Sequence, residues 1–140
     1  MPQTLRQSVT LPATAERLFA MYLDPVQHAA MTGQAQSGQT VNIAAQAGAE
    51  FEAFGGMLRG RILQIVAPRL IVQAWRSAKW AEEEVDSTLV LSFWPAGTEG
   101  RIELVHVNVA DDDAADVDEG WRKHYWTPWR EYLLSHPGQQ

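Results

Sequence analysis

Between residues 41 and 109 the sequence passes through six strand-like runs with no helix-length amphipathic stretch among them, and only afterwards comes one long amphipathic helix. The runs are 41–44, 50–54, 58–66, 70–76, 87–94 and 101–109. The connections between them are mostly short enough for antiparallel hairpins. Their connections carry turn residues: Gly48, Gly55-Gly56, Pro68-Arg69 and the stretch from Pro95 to Gly100, with a longer loop over 77–86. The pattern predicts a meander.

A sheet with one apolar face must cover it, and the segment after Asp113 is the one element large enough. Ala114, Val117, Trp121, Tyr125, Trp129, Tyr132 and Leu133 collect on one helical face, opposite Asp116, Glu119, Lys123 and Arg130. Such a helix runs about 20 residues, or about 30 Å, roughly the width of a small domain. Pro128 should kink it or restart it with Thr127 as cap.

Upstream, Leu5, Val9 and Leu11 alternate with polar residues as a half-buried strand that ends at Pro12. Thr14 caps a helix over 14–23, and Asp24-Pro25 stops it and opens a second, short one over 26–31. The expected fold class is therefore α+β: a curved seven-stranded antiparallel sheet around a long C-terminal helix, with two short helices after strand one. Residues 1–140 read as a single domain with a flexible tail over 136–140. A curved sheet gripping one helix leaves a natural space for an apolar ligand.

Composition removes other classes. The chain has no Cys, which excludes disulfide scaffolds, thiolate metal sites and thiol nucleophiles. A net charge of −6 and scattered cations argue against nucleic-acid binding. No apolar run approaches the roughly 20 residues of a membrane span, and the first residues alternate instead of forming a signal-peptide core, so membrane insertion is not expected and a cytoplasmic location is. Phosphate loops, nucleophile elbows and zinc motifs are absent, and no metal, nucleotide or other cofactor is implied. The six acids within 111–119 lack calcium-loop spacing and read as a solvated helix start. Arg59, Arg61 and Arg76 read as surface ion pairs with Glu50, Glu52 or Glu103.

An ordered series of motifs resembles a known family. It comprises His28-Ala-Ala-Met31-Thr-Gly33, Gly48-Ala-Glu-Phe51, Gly56-Met-Leu-Arg-Gly60, Arg69 through Arg76 with Trp75, Trp80, Leu104-Val-His106, and Gly120-Trp121 followed by Tyr125-Trp126-Thr-Pro128. Over nearly the whole chain this is similar to the domain named for the C-terminal part of the activator of heat-shock-protein-90 ATPase, of the START-like, helix-grip (Bet v 1-like) superfamily. The resemblance implies the helix-grip fold. It also implies a range of roles, from lipid, hormone or polyketide binding to catalysis. The named activator carries a second, N-terminal chaperone-binding domain, for which this chain has no room.

On that pattern the ligand cavity is expected from Phe51, Trp75, Leu89, Leu91, Phe93, Leu104, His106, Trp121, Tyr125 and Trp129, with His106 as polar anchor among aromatic walls and Trp80 near one end. A hydrophobic small molecule is the expected partner, and no residue is assigned as catalytic. The alternatives are a chaperone ATPase activator-like module, with a chaperone as partner, and a cyclase- or hydrolase-type enzyme using His106 with a Tyr or carboxylate. If His106 faces inward, Val105 and Val107 face outward beside Val90 and Trp94, an apolar patch that predicts a homodimer.

Overall fold

The computed structural model describes residues 2–137. Strand β1 (Gln3–Leu11) leads into α1 (Ala15–Leu23) and α2 (Pro25–Met31). Then come β2 (Glu50–Ala53), β3 (Leu58–Val66), β4 (Leu70–Ser77), β5 (Ser87–Ala96) and β6 (Glu99–Val109). The C-terminal helix consists of α3 (Ala114–Trp121), a π-helical segment (Arg122–Trp126) and α4 (Thr127–Ser135). All pairings are antiparallel, in the order β1-β6-β5-β4-β3-β2, so that β6 returns beside β1 and both β1 and β2 are edges. Of the flexible tail expected over 136–140, residues 138–140 lie outside the described residues. His136 stacks on Tyr132 with ring centroids 4.1 Å apart.

The caps form where the sequence places them. Thr14 Oγ1 accepts from the Arg17 amide at 3.2 Å, and Asp24 Oδ1 accepts from the Val26 and Gln27 amides at 2.9 and 3.1 Å, with Pro25 opening α2. Alternation in the sheet is equally regular. Ile71, Gln73, Trp75 and Ser77 of β4, Leu89, Leu91 and Phe93 of β5, and Ile102, Leu104 and His106 of β6 turn inward and are buried.

Two expectations are corrected. The sheet has six strands, not seven: segment 41–44 makes a single antiparallel bridge between Asn42 and Glu52. Val41 and Ile43 are buried, so their period-two pattern anchors a loop on the core without extending a ladder. The second correction concerns Pro128. Thr127 keeps helical angles (φ −66°, ψ −52°), so it is not a cap and the helix does not restart. Pro128 lacks an amide proton and its ring crowds the carbonyl four residues earlier, a conflict that the preceding segment meets by widening to π geometry. An inserted π turn lets two consecutive residues, Tyr125 and Trp126, both face the sheet. Trp126 thereby stacks between Trp121 (5.6 Å) and Trp129 (6.3 Å). Strict 3.6-residue periodicity would rotate one of the pair about 100° away.

Candidate functional site: an aromatic cleft at one end of the helix grip

A cleft of about 460 Å³ opens between α3 with its π segment and the far end of β3 and β4. Its helix wall is Val117, Gly120, Trp121, His124 and Tyr125, a single face at i, i+3/4, i+7/8 spacing. Gly120 presents no side chain, and that gap is part of the opening. Trp75 of β4 also lines it, and Phe54, Met57 and Leu58 form the opposite wall. Phe54 sits at φ 54°, a left-handed conformation adopted within the Phe54-Gly55-Gly56 turn, and its ring meets His124 edge-on at 5.6 Å.

The Lys and Asp side chains lining it are Lys79, Asp113 and Asp116. Lys79 Nζ lies 3.0 Å from Asp113 Oδ1 and 3.8 Å from Asp116 Oδ2, and its pKa is raised, first by the hydrogen bond to Asp113. Asp113 is buried, and its other oxygen accepts from the Trp80 indole at 2.7 Å. The acidic run is therefore not wholly a solvated helix start: Asp113 ties the 77–86 loop to the helix. Trp80 in turn packs edge-on against Trp75, at 5.7 Å between ring centroids.

Behind the cleft, two histidines are fixed by partners that determine their tautomers. The Trp121 indole N–H donates to His106 Nδ1 at 3.1 Å, so Nδ1 is unprotonated and the proton sits on Nε2. That Nε2–H donates to Ser87 Oγ at 2.8 Å, and Ser87 donates onward to the Trp75 carbonyl at 2.6 Å. Burial holds the His106 pKa down to about 3. His28 is the mirror case: Nδ1–H donates to the Tyr22 carbonyl at 2.7 Å, and Nε2 accepts the Tyr125 hydroxyl proton at 2.8 Å. Burial lowers its pKa to about 4, partly offset by the backbone bond to Tyr22. Burial also raises the Tyr125 and Tyr22 phenols, and Tyr22 donates to Gln73 Oε1 at 2.7 Å. Both ring nitrogens of both histidines are thus committed to structural bonds.

Of the ten cavity residues expected from the sequence, the structure brings Trp75, Trp121 and Tyr125 to the cleft. Phe51, Leu89, Leu91, Phe93, Leu104 and Trp129 are packed in the closed interior between sheet and helix. His106 lies one hydrogen bond behind Trp121 and does not line the opening. Phe54, Met57, Leu58, Val117 and Gly120 were not expected. Val117 shares the apolar stripe of Trp121, and the Gly55-Gly56 turn was the one signal for Phe54. Arg61 pairs with Glu50 at 3.6 Å as expected, whereas Arg76 pairs with Asp86 at 2.7 Å and Glu103 with Arg101 at 2.7 Å. Among the described residues no group of three or more His, Cys, Asp or Glu is arranged to hold a metal ion, and no helix is long and apolar enough to cross a membrane.

Comparison with known proteins gives a consistent family. Residues 12–133 match the family described as Activator of Hsp90 ATPase homolog 1-like protein. The chain is 28% identical over 82 residues to mouse (Mus musculus) Activator of 90 kDa heat shock protein ATPase homolog 2; the match covers 59% of this chain and 24% of that protein. The aligned part is thus about a quarter of that relative's length. An HSP90 activator from Plasmodium falciparum superposes with a TM-score of 0.82 at 19% identity, covering 94% of this chain and 96% of that one. The Aha1 dimer from Colwellia psychrerythraea gives 0.70 at 11% identity, covering 96% and 92%. At these identities the two structures establish the helix-grip fold.

Proposed function

The chain belongs to the Activator of Hsp90 ATPase homolog 1-like protein family, and from that premise we propose that it is a binding domain taking an apolar or amphipathic small molecule into the cleft beside Trp75, Trp121 and Tyr125. One observation carries the reading: a cleft of about 460 Å³ is walled mainly by Phe54, Met57, Trp75, Val117, Trp121 and Tyr125. Walls of aromatic and aliphatic side chains beside the Lys79, Asp113 and Asp116 group suit a molecule with one polar end. Tryptophan fluorescence during titration with 1-anilinonaphthalene-8-sulfonate tests it. Saturable binding that is lost on filling the cleft with Gly120→Phe supports the site, and undiminished binding to that variant rejects it.

A second reading is favoured by the relatives: the mouse protein and the Plasmodium structure are both described as activators of the 90-kDa heat-shock chaperone, and a chaperone ATPase would be this chain's target too. Measuring the ATPase rate of such a chaperone with and without the chain decides it. An effect that survives Gly120→Phe assigns the role to the outer surface.

The Colwellia dimer also favours self-association. Val107 is 40% and Trp94 41% exposed on the outer face, with Val105 and Val90 half-buried between them. We propose this patch as a homodimer interface; a strict monomer by sedimentation at high concentration would exclude it.

A further inference from the structure

A second groove, of about 400 Å³, runs between the β1 edge and the C-terminal helix on the side away from the aromatic cleft. Three of the chain's eleven cations converge on it, Arg6 from the strand and Arg122 and Arg130 from the helix, although the protein carries a net charge of −6. No carboxylate lines it. Arg122 shares one ion pair, to Asp118 Oδ2 at 3.0 Å, and Arg130 gives one donor to the Thr10 carbonyl at 3.0 Å. Among the described residues the Arg6 side chain makes no hydrogen bond, and all three arginines are exposed. Each guanidinium therefore keeps most of its five donors unused.

The strand supplies the rest. Because the Thr10 carbonyl points away from β6 to meet Arg130, antiparallel alternation turns the backbone N–H and C=O of Ser8 and Arg6 the same way, into the groove. Side chains of a strand laid along this edge would alternate, one set toward Arg122 and Arg130 and the other toward Arg6. Trp126 and Val9 supply apolar surface beneath it.

We propose that this groove docks an extended, acidic segment of a partner protein, which adds to β1 as a short antiparallel or parallel strand and places its carboxylates on the three arginines. Main-chain bonds to Ser8 and Arg6 give affinity, and the arginines select for acid over neutral sequence. The site is independent of the cleft and of any ligand there.

A fluorescein-labelled peptide of alternating Glu and Thr, read by anisotropy, tests it. Two variants separate the contributions. Ser8→Pro removes an outward N–H at an edge position where proline is tolerated, leaving every charge in place. Arg6→Gln/Arg122→Gln removes charge while leaving the Arg130 tie to Thr10. The expected result is salt-sensitive binding, about tenfold weaker for each variant and unchanged in Gly120→Phe, with no binding of the same peptide carrying Lys for Glu. Undiminished binding by Ser8→Pro, or displacement of the peptide by inorganic phosphate at equal concentration, overturns the proposal in favour of a simple anion site. Binding of anionic phospholipid vesicles but not of the peptide overturns it in favour of a membrane surface.

Discussion

The indole N–H of Trp121 donates to Nδ1 of His106 at 3.1 Å, and this one bond fixes what the buried histidine can do. Protonating Nδ1 would set two donors against each other. The histidine is an acceptor for Trp121 and a donor for Ser87, and taking up a proton as a general base would break the bond to Trp121. Trp121→Phe leaves Nδ1 buried without a donor, whereas Trp129→Phe removes an indole N–H that has no acceptor to lose. Urea denaturation should show Trp121→Phe to be more destabilising than Trp129→Phe by at least about 1 kcal/mol. In the Trp121 variant the His106 pKa, followed by NMR, should rise. Equal costs would show that the bond contributes nothing to the fold.

Both buried histidines make stability depend on pH. His28 and His106 titrate at about 4 and about 3 in the folded chain against an ordinary 6.5. Between those values the unfolded state binds more protons, so stability falls as pH drops below 6.5 and is flat above it. The slope is about 1.4 kcal/mol per pH unit for each histidine. Lowering the pH from 7.5 to 5 should remove roughly 3 to 4 kcal/mol of unfolding free energy. Substituting His106 with Gln should halve the slope while lowering stability at pH 7.5. A flat profile between pH 7.5 and 5 would contradict the neutral assignments.

The meander, the caps and the inward face of the sheet were legible because each depends on local alternation or on a capping side chain. His106 shares its face with Leu104 and Ile102 because strand period is strictly two. The seventh strand was misread because Val41 and Ile43 alternate like a strand, and burial, not a ladder, accounts for it. Trp126 was legible as a helix residue but not as a core one, since the π turn that rotates it inward is set by Pro128 against the preceding carbonyls. The position of the cleft was legible in part: Trp75, Trp121 and Tyr125 were expected to line it, whereas Phe54, Met57, Leu58, Val117 and Gly120 were not. Whether Phe93, Leu91 and Trp129 fill the centre depends on summed side-chain volume, which periodicity does not report. All three are buried, and the opening falls at the end where Gly120 lacks a side chain.

Strand β3 approaches β4 so closely at Gly60 that no side chain fits. A Cβ there would lie 1.8 Å from the Ala74 carbonyl oxygen and 3.2 Å from the Trp75 Cα. Both neighbours are sheet backbone, so relief requires separating β3 from the strand that carries Trp75. Gly60→Ala should cost more than about 3 kcal/mol, seen as a lowered denaturation midpoint or loss of soluble protein. Gly97→Ala, in an open turn with nothing within 4 Å, should cost less despite its φ of 65°.

Gly120 is the opposite case, a helical glycine with room around it. A Cβ there would meet only His124 Cδ2, at 3.8 Å, an ordinary contact. Helix propensity alone then predicts that Gly120→Ala stabilises the chain by about 0.5 to 1 kcal/mol. A glycine that lowers stability while lining a cleft is the arrangement expected where open space matters more than helix strength. Gly120→Ala should raise the thermal midpoint with little effect on probe binding, and Gly120→Phe should retain the fold while closing the cleft. Denaturation and fluorescence titration of the pair separate the two effects. A destabilised Gly120→Ala would mean that the turn before the π segment needs the glycine for its backbone, and the space would then be incidental.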